Sequence, residues 1–172
     1  MSLFFSESFS IRLKNAVFAC GILFLSSAVH ADPGPESPFL GLSGYWSGGG
    51  TITMTNGASE RIRCKGSYAV NGTGKAVQQN LRCASASYRL EISSNVTSEG
   101  GVLSGYWSEA TRGVSGNLSG RASGTEIVAN VMGAGFTARL DVRTHGDKQS
   151  VTIRPQGGDR DVAAVSIALR KG

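Results

Sequence analysis

From about residue 40 to the C-terminus the chain alternates between apolar and polar positions in short runs, each broken by Gly, Asn, Asp or Ser. A buried helix face repeats every 3.6 residues and a half-buried strand every 2, so the alternation reads as strands and leaves no stretch with a convincing helical period. One apolar face can be followed throughout. Trp46, Ile52 and Met54 oppose Tyr45, Thr51, Thr53 and Thr55, and Ile62, Cys64, Gly66, Tyr68 and Val70 oppose Arg61, Arg63, Lys65 and Ser67. Val77, Gln79, Leu81 and Cys83 follow, then Tyr88, Leu90 and Ile92, then Leu103, Gly105 and Trp107. The face continues through Val114, Gly116 and Leu118, through Ile127, Ala129 and Val131, and through Phe136, Ala138, Leu140 and Val142. It closes with Val151 and Ile153, and with Val165, Ile167 and Leu169. About ten strands with one dry face each must double over into a sandwich or close on themselves, and closure also removes exposed edges. The fold expected is all-β: an antiparallel up-and-down meander forming a closed or flattened barrel, with a β-sandwich as the alternative. Gly48, Gly49 and Gly50 relax the first strand where a barrel wall would bend.

The N-terminus follows a different logic. Arg12 and Lys14 precede an apolar run from Ala16 to Leu25, and small residues lead to Ala28-Val29-His30-Ala31 before Asp32-Pro33. A basic flank, a short apolar stretch and a small residue at the cut are the parts of a secretory signal, so cleavage is expected after Ala31. The run is shorter than the roughly 20 residues a bilayer-spanning helix requires. Val17-Phe18-Ala19-Cys20 has too little apolar sequence before it for a lipoprotein signal. Residues 32–39, with Pro33, Pro35 and Pro38, read as an extended leader, and residues 40–172 as a single domain whose first strand begins near Leu40. Removing the first thirty-one residues takes Arg12, Lys14 and Glu7 from the 17 basic and 12 acidic side chains, leaving 15 and 11, a net of +4. So mild an excess, with no aromatic residues interleaved in a basic patch, gives no footing for nucleic-acid binding.

Cleavage also removes Cys20 and leaves Cys64 and Cys83, an even pair in an oxidising compartment and hence a disulfide. The pairing has a geometric test. If the second and third strands meet at Asn71-Gly72-Thr73-Gly74, antiparallel partners have numbers summing to 147: Cys64 with Cys83, Gly66 with Leu81, Tyr68 with Gln79, Val70 with Val77. All lie on the apolar face, so turn, register and disulfide agree.

Leu42-Ser43-Gly44-Tyr45-Trp46-Ser47 returns as Leu103-Ser104-Gly105-Tyr106-Trp107-Ser108. The simplest reading is two strands with the same task, each placing a Trp in the core and a Gly where backbone approaches closely. Gly44-Tyr45-Trp46 at the start of the first strand of a meander resembles the G-x-W signature of the calycins, the group of lipocalins, avidins and fatty-acid-binding proteins. The chain as a whole also resembles small exported Gram-negative bacterial β-barrel proteins of unassigned function. The calycin resemblance implies a barrel with Trp46 plugging one end and an interior that can hold a small ligand. There is no T-D-Y element and no terminal Arg-x-Tyr pair, so the resemblance carries no ligand identity with it.

Catalytic and metal chemistry find little support. His145 stands alone in the mature chain, in a turn-like Thr144-His145-Gly146-Asp147, whereas zinc sites want three or four protein donors. No G-x-S-x-G elbow occurs. Gly72-Thr73-Gly74-Lys75 fails as a phosphate loop because Ala69 and Ala76 stand where Gly and Ser or Thr are needed. Glu109 follows Trp107 and could point inward, but a strand ending at Ser108 would leave it facing water near Arg112, which is the reading adopted. Asp159 and Asp161 flank Arg160 in what reads as a solvated turn, and Arg61, Arg63 and Lys65 line an outer face.

The expectation is therefore a periplasmic or secreted protein with no enzymatic activity, no cofactor, no bound metal and no transmembrane span in the mature chain. Its interior, bounded by Trp46, Tyr68, Tyr88, Leu103, Trp107, Leu118, Leu140 and Ile167, would hold a small apolar ligand. The alternative is a structural or inhibitory module with a packed core that meets an envelope protein partner.

Overall fold

The computed structural model describes residues 37–157 and 161–172. The expected signal segment, most of the leader, Asp159 and Arg160 lie outside the described residues. Ten strands follow one another: β1 (Gly44–Met54), β2 (Ser59–Val70), β3 (Ala76–Ala84), β4 (Arg89–Glu99), β5 (Val102–Glu109), β6 (Val114–Ser123), β7 (Glu126–Gly133), β8 (Phe136–His145), β9 (Lys148–Gln156) and β10 (Val162–Lys171). Each pairs antiparallel with its neighbours in sequence, and β10 returns to β1, with Gly48 opposite Leu169 and Ile52 opposite Val165. That last pairing closes the sheet, so the fold is the up-and-down barrel and not the sandwich. The described residues contain no helix long and apolar enough to cross a membrane.

The alternation explains the closure. Trp46, Ile62, Cys64, Tyr68, Leu81, Leu103, Ala129, Ala138, Ile167 and Leu169 are all buried on the inside, while the intervening residues face out. The β2–β3 register is the one expected, with Cys64 opposite Cys83, Gly66 opposite Leu81, Tyr68 opposite Gln79 and Val70 opposite Val77. Cys64 and Cys83 form a disulfide with their Cα atoms 4.1 Å apart. Asn71 fixes the connecting turn, its side-chain oxygen accepting from the backbone N–H groups of Lys75 and Ala76 at 3.0 Å each.

The start of the domain differs from expectation. Leu40–Leu42 form a short 3-10 turn, and β1 begins at Gly44, whose φ of 119° is open to glycine alone. The turn exists because Phe39, the last residue of the expected leader, is only 1 % exposed and belongs to the core. Its backbone N–H donates to the Gly74 carbonyl at 3.2 Å, tying the segment to the β2–β3 turn.

The repeated hexapeptide does not place its two tryptophans in one layer. Trp46 lies near the N-terminal end of β1 and Trp107 near the C-terminal end of β5. Both strands run in the same direction around an alternating barrel, so the indoles sit toward opposite ends.

Candidate ligand cavity

One end of the barrel is stoppered. Phe39 and Leu42 pack over Trp46, whose indole N–H donates to the Leu42 carbonyl at 2.7 Å. The Trp46 ring meets Tyr68 edge-on, centroids 6.1 Å apart at 73°. Lys171 closes the rim, its ammonium 5.9 Å from the Trp46 ring and 3.3 Å from the Gly41 carbonyl to which it donates.

Beneath the stopper a chain of polar side chains crosses the interior. Ser94 donates to Gln79 Oε1 at 3.1 Å, and Gln79 Nε2 donates to the Tyr68 hydroxyl at 3.2 Å. Tyr68 donates to Gln149 Oε1 at 2.7 Å, and Gln149 Nε2 donates to Thr144 Oγ1 at 3.1 Å. Five side chains from β4, β3, β2, β9 and β8 thus satisfy one another, as buried polar groups must. Burial pushes the Tyr68 phenol up to about 12, although its bonds to Gln149 and Gln79 act the other way. The belt is uncharged over the whole neutral range.

Beyond the belt, toward the end where the β3–β4, β5–β6 and β7–β8 connections lie, the barrel is hollow. The cavity measures about 400 Å³ and has a mostly apolar wall that includes Ile52, Ile62, Leu90, Ile92, Val131 and Ile153. Gln79 and Ser94 form its floor, and Tyr88, Arg89, Arg112, Phe136 and Val162 lie toward its mouth. Phe136 meets Trp107 edge-on at 5.8 Å. A wider concavity of about 780 Å³ on the outer wall is only a shallow shelf, since its polar residues Gln78, Asn95, Thr97, Ser104 and Asn117 are all exposed.

The eight residues expected to bound the interior divide between the two halves. Tyr88, Trp107, Leu118 and Leu140 line the cavity. Trp46, Tyr68, Leu103 and Ile167 are buried too, but they belong to the stopper, the belt and the packed wall around them. Gln79, Ser94, Arg89 and Arg112 were missed as lining residues. The inward phase of Gln79 was visible in the alternation, whereas nothing in the sequence gives the depth of Arg89 or Arg112.

Glu109 corrects the expectation of a solvent-facing carboxylate. It is the last residue of β5, only 3 % exposed, and its side chain closes the β5–β6 turn. Oε1 accepts from the Glu91 N–H at 3.1 Å, from the Thr111 N–H at 2.9 Å and from the Thr111 hydroxyl, while Oε2 accepts from the Arg112 N–H at 2.8 Å. Arg112 Nη1 stands 3.6 Å away. Burial alone would raise its pKa, but at the rim that effect is outweighed by these donors, and the carboxyl is held below its usual range. Both oxygens are committed to the turn. His145, at the end of β8, is exposed, and no cluster of three or more metal-ligating side chains occurs among the described residues.

No protein-family model matches the chain, and no curated protein sequence matches it. Solved structures do. The crystal structure of Rv2717c from M. tuberculosis superposes with a TM-score of 0.63 at 11 % identity, covering 77 % of this chain and 94 % of that one. The S-type phycobiliprotein lyase CPES from Guillardia theta superposes with a TM-score of 0.61 at 10 % identity, covering 81 % and 93 %. At such low identity these likenesses show a shared β-barrel fold, spanning nearly the full length of both neighbours.

Proposed function

We propose that this protein is an exported, non-enzymatic barrel that binds a small, largely apolar molecule in the cavity between the polar belt and the open end. The observation that carries the reading is the cavity itself, about 400 Å³ of mostly apolar space in a barrel stoppered at its other end. Ligand pockets of drug-sized molecules typically occupy about 300–1,000 Å³, with an apolar lining and a few placed polar groups. The phycobiliprotein lyase that shares the fold is in keeping with a barrel that receives a ligand. A binding role, not catalysis, is favoured because the one carboxylate among the described lining residues, Glu109, spends both oxygens on backbone N–H groups. Export is supported by the signal-like N-terminus and by the disulfide, which persists in oxidising compartments.

The test is a titration of the delipidated protein with Nile red and with a series of lipids while tryptophan emission is followed. Saturable binding is expected, with the emission change lost in Trp107→Phe and kept in Trp46→Phe, because only Trp107 lines the cavity. Leu140→Trp should weaken every ligand by filling the space. Absence of saturation in the unmodified protein would remove the reading. N-terminal sequencing of protein from a bacterial envelope fraction should begin at Asp32, and a start at Met1 would contradict export.

A further inference from the structure

The middle of the outer wall formed by β3 to β6 carries no charge. Gln78, Asn95, Tyr106 and Asn117 stand in one row across the four strands, each opposite the next in register. Ser93, Ser108 and Ser115 form the neighbouring row toward the open end, and Thr97, Ser104 and Ser119 the row toward the stoppered end. All are exposed, and Tyr106 at the centre is 70 % exposed. Charge resumes only beyond these rows, with Arg82 opposite Glu91 on one side and Arg121 on the other. At comparable outward positions β2 carries Arg61, Arg63 and Lys65. A soluble barrel wall is ordinarily interspersed with charge, so three adjoining neutral rows are a local departure from that rule.

The amides are a second departure. Asn is depleted from strands, yet Asn80, Asn95, Asn117 and Asn130 hold outward positions on β3, β4, β6 and β7. The side chains of Gln78, Asn95 and Asn117 bond no other group among the described residues, so the fold does not use them. The relief of the wall adds a third observation. Tyr106 stands between two shallow depressions, one of about 780 Å³ that includes Gln78, Thr97 and Ser104, the other of about 430 Å³ that includes Ser93, Ser108 and Ser115. Asn95 and Asn117 flank the ring and border both.

We propose that this face is a docking surface for an uncharged polysaccharide, with one sugar ring stacked on Tyr106 and the sugars on either side hydrogen-bonded in the two depressions. Amide and hydroxyl side chains both donate and accept, as sugar hydroxyls do, and the exposed phenol ring offers its flat apolar face to the C–H face of a pyranose. Successive rows lie two residues apart along the strands, about 7 Å, a spacing that suits a chain of sugar rings laid along β5. A nucleic acid or an anionic membrane would require cations in these rows. The core of a protein interface is built from several apolar anchors, whereas Tyr106 is the one aromatic side chain here. The surface lies on the outside of the wall whose inner residues Trp107 and Leu118 line the cavity, so it does not depend on the cavity reading.

Binding of the purified protein to immobilised hexasaccharides tests the proposal, with cello-, chito-, xylo-, manno- and maltohexaose as neutral probes and hexagalacturonate as the anionic one. Saturable binding to at least one neutral probe is expected, insensitive to added salt and about tenfold or more tighter than to hexagalacturonate. Tyr106→Thr, which removes the ring but keeps a strand-forming residue, should weaken it about tenfold or more, and Tyr106→Phe should stay within about threefold of the parent. Asn95→Ala/Asn117→Ala should weaken it several-fold, with urea midpoints near the parent's showing each barrel intact. Leu140→Trp, which fills the cavity, should leave it unchanged. Absence of saturable binding to every neutral probe would overturn the proposal, as would equal affinity for hexagalacturonate. Binding that survives Tyr106→Thr would place the glycan elsewhere and overturn it too, and loss in Leu140→Trp alone would move the site into the cavity. Failure of Nile red to bind the parent would remove the cavity reading and leave this surface standing.

Discussion

The Tyr68 hydroxyl donates to Gln149 Oε1 at 2.7 Å across the barrel interior, joining β2 to β9 and dividing a packed half from a hollow one. Tyr68 also accepts from Gln79, so its oxygen serves two amides at once. Tyr68→Phe leaves both amides short of a partner and should cost about 1–3 kcal/mol, the penalty of buried polar groups left unpaired. Adding Gln149→Leu to that variant should recover part of the loss, since an apolar pair needs no partner. Urea denaturation of the two variants measures both changes, and a Tyr68→Phe protein as stable as the parent would show the belt to be dispensable.

The same hydroxyl sets an alkaline limit. Because burial raises the Tyr68 phenol from 10 to about 12 in the folded protein, the folded state holds this proton more tightly than the unfolded chain does. Its contribution is full below pH 10 and fades as pH rises toward 12. Stability should thus fall more steeply between pH 10 and 12 in the parent than in Tyr68→Phe, as read from thermal midpoints across that range.

Glu109 sets the acid limit, with the sign reversed. Its carboxyl is held below the ordinary 4.5, so the stabilisation is present above that value and drains away as pH falls through the lowered folded one. Glu109→Gln should cost about 1–3 kcal/mol at neutral pH, because an amide replaces one acceptor oxygen with a donor facing backbone N–H groups. The variant should also lose part of the parent's instability below pH 4.5, and equal acid limbs in the two proteins would contradict the turn-closing role.

Which face each residue takes was legible, and depth along the barrel axis was not. Period-two alternation fixes inside from outside, and the β2–β3 turn then fixes register, so the Cys64–Cys83 bridge followed from numbering alone. Depth depends on how the strands stagger around the barrel, a property of the closed sheet that no single run encodes. That is why Trp46 and Trp107, in identical hexapeptides, lie toward opposite ends, and why Leu103 and Tyr88 belong to different halves. The inward phase of Glu109 is also legible, two residues after Trp107, but the rarity of buried charge argues against it in the sequence. The turn that follows supplies the donors that make its burial tolerable. Phe39 was hidden by its Pro-rich surroundings, which carry no periodicity.

The inward glycines are not equivalent, and substitution should separate them. At Gly66 an added Cβ meets Leu81 Cδ1 and Tyr68 Cε2 at 3.5 Å each, ordinary contact. At Gly116 it overlaps the Met132 carbonyl oxygen on β7, because the two strands approach too closely for any side chain between them. Gly66→Ala should change stability by less than about 1 kcal/mol, and Gly116→Ala should cost at least about 2 kcal/mol through forced backbone movement. Comparable denaturation midpoints for the two would refute the close approach.

Phe39 offers a way to separate the stopper from the cavity. Its ring is buried against the same core as Trp46 and Leu42, so Phe39→Ala should cost about 3–5 kcal/mol, the usual loss for an aromatic core residue truncated to Ala. Removing the ring opens space only at the stoppered end. The belt from Ser94 to Thr144 still stands between that space and the hollow half, its hydrogen bonds made without Phe39. Stability and binding should therefore part company. Phe39→Ala is expected to unfold at markedly lower urea yet, under conditions where it stays folded, to bind Nile red within about twofold of the parent, a difference below 0.5 kcal/mol by the usual conversion. Leu140→Trp should do the reverse, losing the dye with a smaller change in stability. If Phe39→Ala instead loses dye affinity in proportion to its stability, the interior is one continuous space and the belt is no partition.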